Sequence, residues 1–388
     1  MTEQVVVLGS GYAGAGAIRS LEDALDGEAA ITWVSDRDYH LVLHESHRCI
    51  SNPSVSEKIT IPVEEIKSPQ TEFIHAPVES LDTEDRTIHL GTGEDIEYDY
   101  VLVGIGSRTA FFGIEGLEEY AHTLKGLDDA LGIHEDLKHA AAHATREDPA
   151  QVVIGGAGLS GIQTAGEIAE YRDDHAAPVD IHLVEGLDEI FPGNDPSIQG
   201  ALRSRLEARD IDIRTGGFIG KVDGNTVYIG EDEELDYDVL VWTGGITGRA
   251  ALRNAEIDKD ERNYRLKAGR TFQTNDERVF AIGDAALIDQ PDNDPAPPTA
   301  QAAWQAAEVV GTNIAREIRG QPLKDWTYKN KGTVISVGED AVAHDVFIVP
   351  FVDTFGGFPA RTLKKAIAAR WIAKVTGLGA AISAWPDM

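Results

Sequence analysis

Sulfur is nearly absent from this chain of 388 residues, which has one cysteine, Cys49, and two methionines. A single thiol excludes an intrachain disulfide and any mechanism that needs two neighbouring cysteines. There is no apolar run of about 18 residues, so no transmembrane helix is expected. With a strand beginning at Val5, no secretory leader is expected. Positive charge is also scarce: 34 Lys and Arg stand against 66 Asp and Glu, a net charge of −32. Such a surface repels nucleic acid, whose phosphates need clustered Lys and Arg. The acid excess runs along the whole chain. Molar salt would screen its self-repulsion, so a halophilic, haloarchaeal-like source is expected. No metal site is expected.

Against these absences stand two glycine-rich loops. Gly9-Ser10-Gly11-Tyr12-Ala13-Gly14 follows the apolar run Val5–Leu8, and Gly156-Ala157-Gly158-Leu159-Ser160-Gly161 follows Val152–Ile154. In such a loop the first glycine permits a tight strand-to-helix turn and the second lets the backbone approach a pyrophosphate. The third lets helix and strand pack closely. The helix N-terminus then offers free N–H groups to the phosphates. One loop is a weak signal. Two, each after a strand and before a small-residue helix, imply two dinucleotide sites, and so a flavoprotein that also takes a nicotinamide nucleotide.

The strand after each loop helix ends near an acid that can accept hydrogen bonds from a ribose diol and repel a 2′-phosphate. In the second unit this is Glu185, followed by Gly186, which favours NADH. In the first, the strand ends Val34-Ser35-Asp36-Arg37. Strict spacing selects Ser35, and Asp36 is the expected partner of the FAD ribose. A strand running into Gly283-Asp284 is the third mark, with the Asp expected at the ribityl or phosphate part of FAD. Helices are expected over 12–26, 127–145 and 298–319, with a long loop over 39–70. The expected fold is α/β, with two Rossmann-like units and a small C-terminal domain. Residues 1–112 and 246–320 form a discontinuous FAD unit, 113–245 an inserted NADH unit, and 321–388 a cap with a basic amphipathic tail.

Together these residues resemble the flavin-dependent pyridine-nucleotide oxidoreductases, and within them the type II NADH:quinone dehydrogenases. The resemblance also rests on Asp38-Tyr39-His40-Leu41, Gly106-Ser107-Arg108, Leu124-Lys125, Val241-Trp242-Thr243-Gly244-Gly245, Ala300-Gln301-Ala302-Ala303-Trp304-Gln305 and Lys331-Gly332. It implies non-proton-pumping transfer of hydride from NADH to FAD and of two electrons onward to a membrane quinone. It places Gly106, Ser107 and Arg108 with the flavin, and Thr243 and Gly244 with the nicotinamide nucleotide. It places Gln301 and Gln305, four residues apart on one helix face, beside the quinone, and Glu167 near nicotinamide and flavin. Lys331 can supply charge to the reduced flavin or a quinone anion.

The chain departs from that pattern in three places. Gln163 stands where a first acid pairs with Glu167. Gly104-Ile105-Gly106 replaces the usual Ala-Thr-Gly. The stretch Leu43-His44-Glu45-Ser46-His47-Arg48-Cys49 is polar where relatives are apolar. Cys49 therefore carries a rival reading, an NADH oxidase or peroxidase, and a ferredoxin-type reductase is another. The tail has no acid between Asp353 and Asp387. Its Leu363, Ile367, Trp371, Val375 and Leu378 fall near one helical face, so residues 359–382 are expected on a membrane surface. The expected location is cytoplasmic, peripheral on the inner face of the cell membrane, and a homodimer is a possible assembly.

Overall fold

The computed structural model describes residues 2–292, 294–347 and 352–385. Its first sheet has five parallel strands in the order Val279–Ala281, Tyr100–Val103, Glu3–Leu8, Ala29–Ser35, Glu72–His75. The central run Val5-Val6-Val7-Leu8 is wholly buried. A continuous apolar strand of this kind suits a parallel sheet covered on both faces. The second sheet repeats the plan with four parallel strands, Ile211–Thr215, Val179–Glu185, Ala150–Gly155 and Val239–Trp242. In each unit a three-stranded antiparallel meander precedes the closing strand, over 78–97 in the first and 219–236 in the second.

The chain leaves the first sheet after Val103 and rejoins it at Val279–Ala281, so the second unit is inserted in the first. The outgoing pair Arg108–Thr109 and the returning pair Ile246–Thr247 bond to each other as a short antiparallel ribbon. The helix Ala300–Ile318 starts at Thr299, whose Oγ1 accepts the Ala302 N–H at 3.2 Å. It crosses the first loop helix, Tyr12–Leu25, at close range because the facing residues are small. A Cβ on Gly16 would stand 2.7 Å from that of Ala307, and the Ser20 hydroxyl donates to the Ala307 carbonyl at 2.6 Å.

Two expectations need correcting. Residues 39–70 are not a plain loop. They hold the antiparallel pair Tyr39–Leu41 and Thr60–Pro62 and several short helical turns, which fold the polar stretch 43–51 into the interior. The C-terminal part is a three-stranded antiparallel sheet followed by the helices Phe358–Val375 and Leu378–Ala384. The first of these helices does not expose the apolar face read from its sequence. Trp371 and Val375 are buried, Leu363 is half-buried, and Ile367 and Leu378 are exposed. The reason is tertiary: the Trp371 ring packs 4.6 Å from both Tyr12 and Trp304, so the body of the protein covers that stripe. Among the described residues no helix is long and apolar enough to cross a membrane, and no cluster is suited to a metal ion.

Candidate active site

The two glycine loops are built on the same plan. Gly9 and Gly156 adopt φ 97° and 92° and donate to the carbonyls of Val34 and Val184, each at 2.8 Å. Added Cβ atoms there would stand 2.5 Å from the Gly104 oxygen and 2.9 Å from the Gly244 nitrogen. On Gly14 and Gly161 they would overlap the carbonyl oxygens of Gly9 and Gly156. Gly11 and Gly158 instead face open space, with nothing within 4 Å of an added Cβ. That is the division of labour a pyrophosphate cradle needs: two glycines forced by backbone packing, and one kept bare for a ligand. Each cradle therefore fits the dinucleotide that its sequence implies.

Glu185 ends its strand nearly buried and folds back on its own loop, accepting the Ala157 N–H at 2.8 Å and the Leu187 N–H at 3.1 Å. A carboxylate has about four acceptor positions, so two remain for a ribose diol. In the first unit Ser35 is buried and its hydroxyl meets that of Ser10 at 2.8 Å, whereas the carboxylate of Asp36 is exposed at the strand end. Asp284 gathers Ser107 and Lys125: the Ser107 hydroxyl donates to Oδ2 at 3.2 Å, and the Lys125 ammonium lies 3.5 Å from the same oxygen. Gly106 and Gly283 both have φ 69° beside it. Thr243 closes the second loop, donating to the Gly156 carbonyl at 2.8 Å. Arg108 is exposed and weakly paired with Glu118.

Sequence reasoning missed two arginines here. Arg265 is buried and donates to the carbonyls of Asp284 and Ala286 at 2.9 and 2.6 Å, bracing the Gly283-Asp284 turn. Arg249 donates to the Ile105 carbonyl at 3.2 Å and sits in the field of Asp36, Arg37, Asp129 and Arg108. Burial lowers the pKa of both. Neither lies in a motif, so no local signal marked them.

Gln301, Gln305 and Lys331 do come together. Gln301 Oε1 accepts from the Lys331 N–H at 2.9 Å and the Tyr328 hydroxyl at 3.1 Å, and its amide donates to the Gly332 carbonyl at 3.2 Å. Gln305 clasps Lys329, donating to its carbonyl at 2.9 Å and accepting its N–H at 3.1 Å. Both amides are thus engaged in anchoring 328–332, and the Lys331 side chain stays exposed.

Glu167 lies on the inner face of the helix Leu159–His175 and is 2% exposed. Its Oε2 accepts from Ser51 at 2.5 Å, and Oε1 has no hydrogen-bond partner. Burial raises its pKa against the opposing pull of Arg48 and Ser51. Around it the polar stretch and the capping helix meet. Lys364, expected on a solvent or membrane face, is 4% exposed, and its ammonium lies 2.5 Å from Ser336 Oγ and 2.9 Å from His47 Nε2. Burial lowers its pKa to about 8, although Glu45 pulls the other way. Arg48 pairs with Glu45 at 2.8 Å. Farther along, the Trp371 indole donates to His40 Nε2 at 2.8 Å, and His40 Nδ1 meets the Ser10 carbonyl at 2.8 Å. The capping helix thereby touches the first glycine loop. Burial holds His40 neutral, with its pKa lowered to about 4.

Fold and site together define an α/β oxidoreductase scaffold with two dinucleotide cradles. The chain belongs to the pyridine nucleotide-disulphide oxidoreductase family, whose model matches residues 3–307. It is 28% identical over 409 aligned positions to a type II NADH:quinone oxidoreductase of Staphylococcus aureus, with 98% of this chain and 97% of that protein covered. Among solved structures, NDH2 from Plasmodium falciparum in complex with RYL-552 is similar with TM-score 0.85 at 17% identity, covering 100% of this chain and 98% of that one. The sulfide:quinone oxidoreductase of Aquifex aeolicus follows with TM-score 0.80 at 23% identity, covering 97% and 92%. At these identities the structural likeness speaks for the fold.

Proposed function

We propose that this chain is an FAD-linked NADH:quinone oxidoreductase of the type II kind. The observation that carries the reading is the pair of matched glycine cradles, one of which ends on the carboxylate of Glu185. The FAD unit spans 1–112 and 246–320, the NADH unit 113–245, and the cap follows from 321. Gly9, Gly11 and Gly14 receive the FAD pyrophosphate, and Asp36, with Ser35 and Arg37 beside it, holds its ribose. Gly106, Ser107, Arg108, Gly283 and Asp284 line the remainder. Gly156, Gly158 and Gly161, with Glu185, Thr243 and Gly244, hold NADH. Bound FAD supplies a hydride acceptor and a store for two electrons, while the protein supplies orientation and electrostatics. Glu167 is a buried, half-satisfied carboxylate able to take or give a proton. Gln301 and Gln305 fix the 328–332 segment that carries Lys331 at the acceptor side.

Anaerobic stopped-flow in high salt tests the whole reading: flavin absorbance should bleach with NADH and return with menadione. The rival based on Cys49 is disfavoured by burial. The thiol is 0% exposed, and burial together with the nearby Glu167 pushes its pKa up to about 12, so almost no reactive thiolate exists at neutral pH. Cys49→Ser should leave both half-reactions within about twofold of the native protein, since an inert buried cysteine acts only as a small core residue. Loss of the quinone step alone in that variant would revive the thiol chemistry.

The same reading includes contact with a membrane surface, now through a different set of side chains. Phe358, Leu378 and Ile382 are 80%, 75% and 73% exposed, while Arg370 and Lys374 lie over the Trp304 ring and Lys374 also pairs with Glu308. Replacing Leu378 and Ile382 together by Asp should cut co-sedimentation with phosphatidylglycerol vesicles by ~tenfold or more, because each buried aliphatic side chain contributes roughly 1.5–3 kcal/mol. Unchanged sedimentation would remove this surface from the reading.

A further inference from the structure

Two apolar side chains beside Glu185 belong to no core. Leu187 is 49% exposed and Phe218 is 66% exposed. Both stand at one corner of the second sheet. The strands Val179–Glu185 and Ile211–Thr215 run parallel and finish level, with Glu185 paired to Thr215. Gly216 then turns the chain back with φ 81°, and its N–H donates to the Leu187 carbonyl at 2.9 Å. The turn lays the Phe218 ring against Gly186. A Cβ on Gly186 would stand 2.3 and 2.4 Å from two carbons of that ring, so only glycine leaves room for it. The Phe218 carbonyl accepts the Gly230 N–H at 2.9 Å, which ties the residue to the meander behind it.

Exposure alone says little, because single apolar side chains on a surface are ordinary. Here the ring is fixed, and it is fixed next to the carboxylate that ends the strand. The corresponding corner of the first unit, where Ser35 pairs with His75, also holds a ring. The exposed His75 imidazole stacks on Phe73 with centroids 6.4 Å apart, and its Nε2 lies 3.2 Å from the Asp36 carbonyl oxygen. Two units of different sequence thus place an aromatic ring at the same corner, beside the strand-end acid.

We infer that Phe218 is the adenine plate of the second cradle, a residue that sets the affinity for adenosine-bearing dinucleotides. This rests on the reading of the chain as an NADH-linked enzyme and deepens it. The connectivity of the nucleotide leads to the ring. The ribose is held by its hydroxyls at Glu185. Its 5′ carbon leads to the pyrophosphate, which the bare Gly158 receives. Its base is bonded to the carbon beside the one that carries the 2′-hydroxyl. The base therefore points away from the glycine loop and past the strand end, where Gly186 and Phe218 lie. One side of the ring rests on Gly186, and the exposed remainder is free to take the base. Every base has a π-face, so a phenyl ring holds it by offset stacking without a donor or acceptor of its own. Leu187, whose N–H is bonded to Glu185 at 3.1 Å, adds apolar surface at the same strand end.

The test is the affinity of the FAD-loaded protein for ADP-ribose, measured by calorimetry. This probe carries the adenosine and pyrophosphate of NADH and no nicotinamide. Phe218→Ala should weaken its binding by ~10- to 100-fold, the loss of one base–aromatic stack. In stopped-flow, the NADH concentration that gives half the maximal bleaching rate should rise by a like factor. The maximal rate and the flavin content should stay within about twofold of native, because the stack lies away from the reacting carbon and from the first cradle. Phe218→Trp keeps a flat face and should hold ADP-ribose within about threefold of native. Phe218→Leu keeps apolar bulk without that face and should lose most of the affinity. If Leu served as well as Phe, the ring would only be packing the Gly216 turn, and the plate would be overturned. Native ADP-ribose affinity in Phe218→Ala would overturn it too. Gly186→Ala reaches the same ring from its backbone side. It should weaken ADP-ribose binding in the native background and have no further effect alongside Phe218→Ala, whereas equal losses in both backgrounds would count against the plate. If native protein neither binds ADP-ribose nor bleaches with NADH, the parent reading fails instead.

Discussion

Gly14→Ala should emerge from purification without its yellow flavin, whereas Gly161→Ala should keep the colour and lose its response to NADH. The added methyl group overlaps a backbone carbonyl in each case, that of Gly9 or that of Gly156. A carbonyl inside a buried strand-to-helix turn cannot swing aside as a side chain can. The loop must shift, and with it the N–H groups aimed at the pyrophosphate. Overpacking of this kind costs roughly 1–3 kcal/mol, and each 1.4 kcal/mol is tenfold in affinity. FAD affinity in the first variant, and the rate of flavin bleaching at limiting NADH in the second, should therefore fall by roughly 10- to 100-fold. Flavin titration and stopped-flow absorbance read the two effects apart. If Gly161→Ala were the colourless protein and Gly14→Ala the coloured one, the two cradles would have to exchange their ligands.

The second large effect is expected at Glu185. Glu185→Gln keeps the shape of the side chain and one acceptor oxygen for the Ala157 or Leu187 N–H, so the loop should hold. What it removes is the negative charge facing the adenosine ribose. With the carboxylate, a ribose diol gains charge-assisted hydrogen bonds and a 2′-phosphate meets repulsion. Charge-assisted bonds are about twice as strong as neutral ones. At about 4 Å two like charges near a protein surface repel by up to ~4 kcal/mol. The ratio of kcat/KM for NADH over NADPH should fall by ~10- to 100-fold, with the flavin content unchanged. A ratio equal to that of the native protein would mean that selectivity is set elsewhere, and would sink the role given to this carboxylate.

The parts of this protein legible from sequence are those whose physics is local. A run such as Val5–Leu8 can only be an interior strand, and a glycine at φ 97° or 92° can only be the turn that follows one. Because Gly9, Gly14, Gly156 and Gly161 answer to backbone contacts within their own βα turn or the adjoining strand, their spacing announced them. Glu185 and Asp284 were legible for the same reason, since each ends a strand beside a glycine. The helix Ala300–Ile318 was readable from its Thr299 cap and small-residue face, although not the use of Gln301 and Gln305 as anchors for 328–332.

Lys364 shows where that legibility stops. In a basic run of an acidic chain it reads as a solvent or membrane-facing cation, and helical periodicity puts Trp371 and Val375 on an outward apolar stripe. Periodicity identifies which residues share a face, but it carries no information about what covers that face. The first loop helix covers this one, and Tyr12 and Trp304 take up Trp371.

By itself, then, the sequence determined two dinucleotide cradles in an α/β frame, the acid that ends the second strand of the second unit, and a chain unable to form an intrachain disulfide. Only the tertiary structure decided that His47, Glu167, Ser336 and Lys364 share one buried cluster. They come from four distant segments, and inside the cluster they are one another's polar partners at 2.5–3.9 Å. A requirement met jointly by distant residues leaves no periodic or local trace in any one of them.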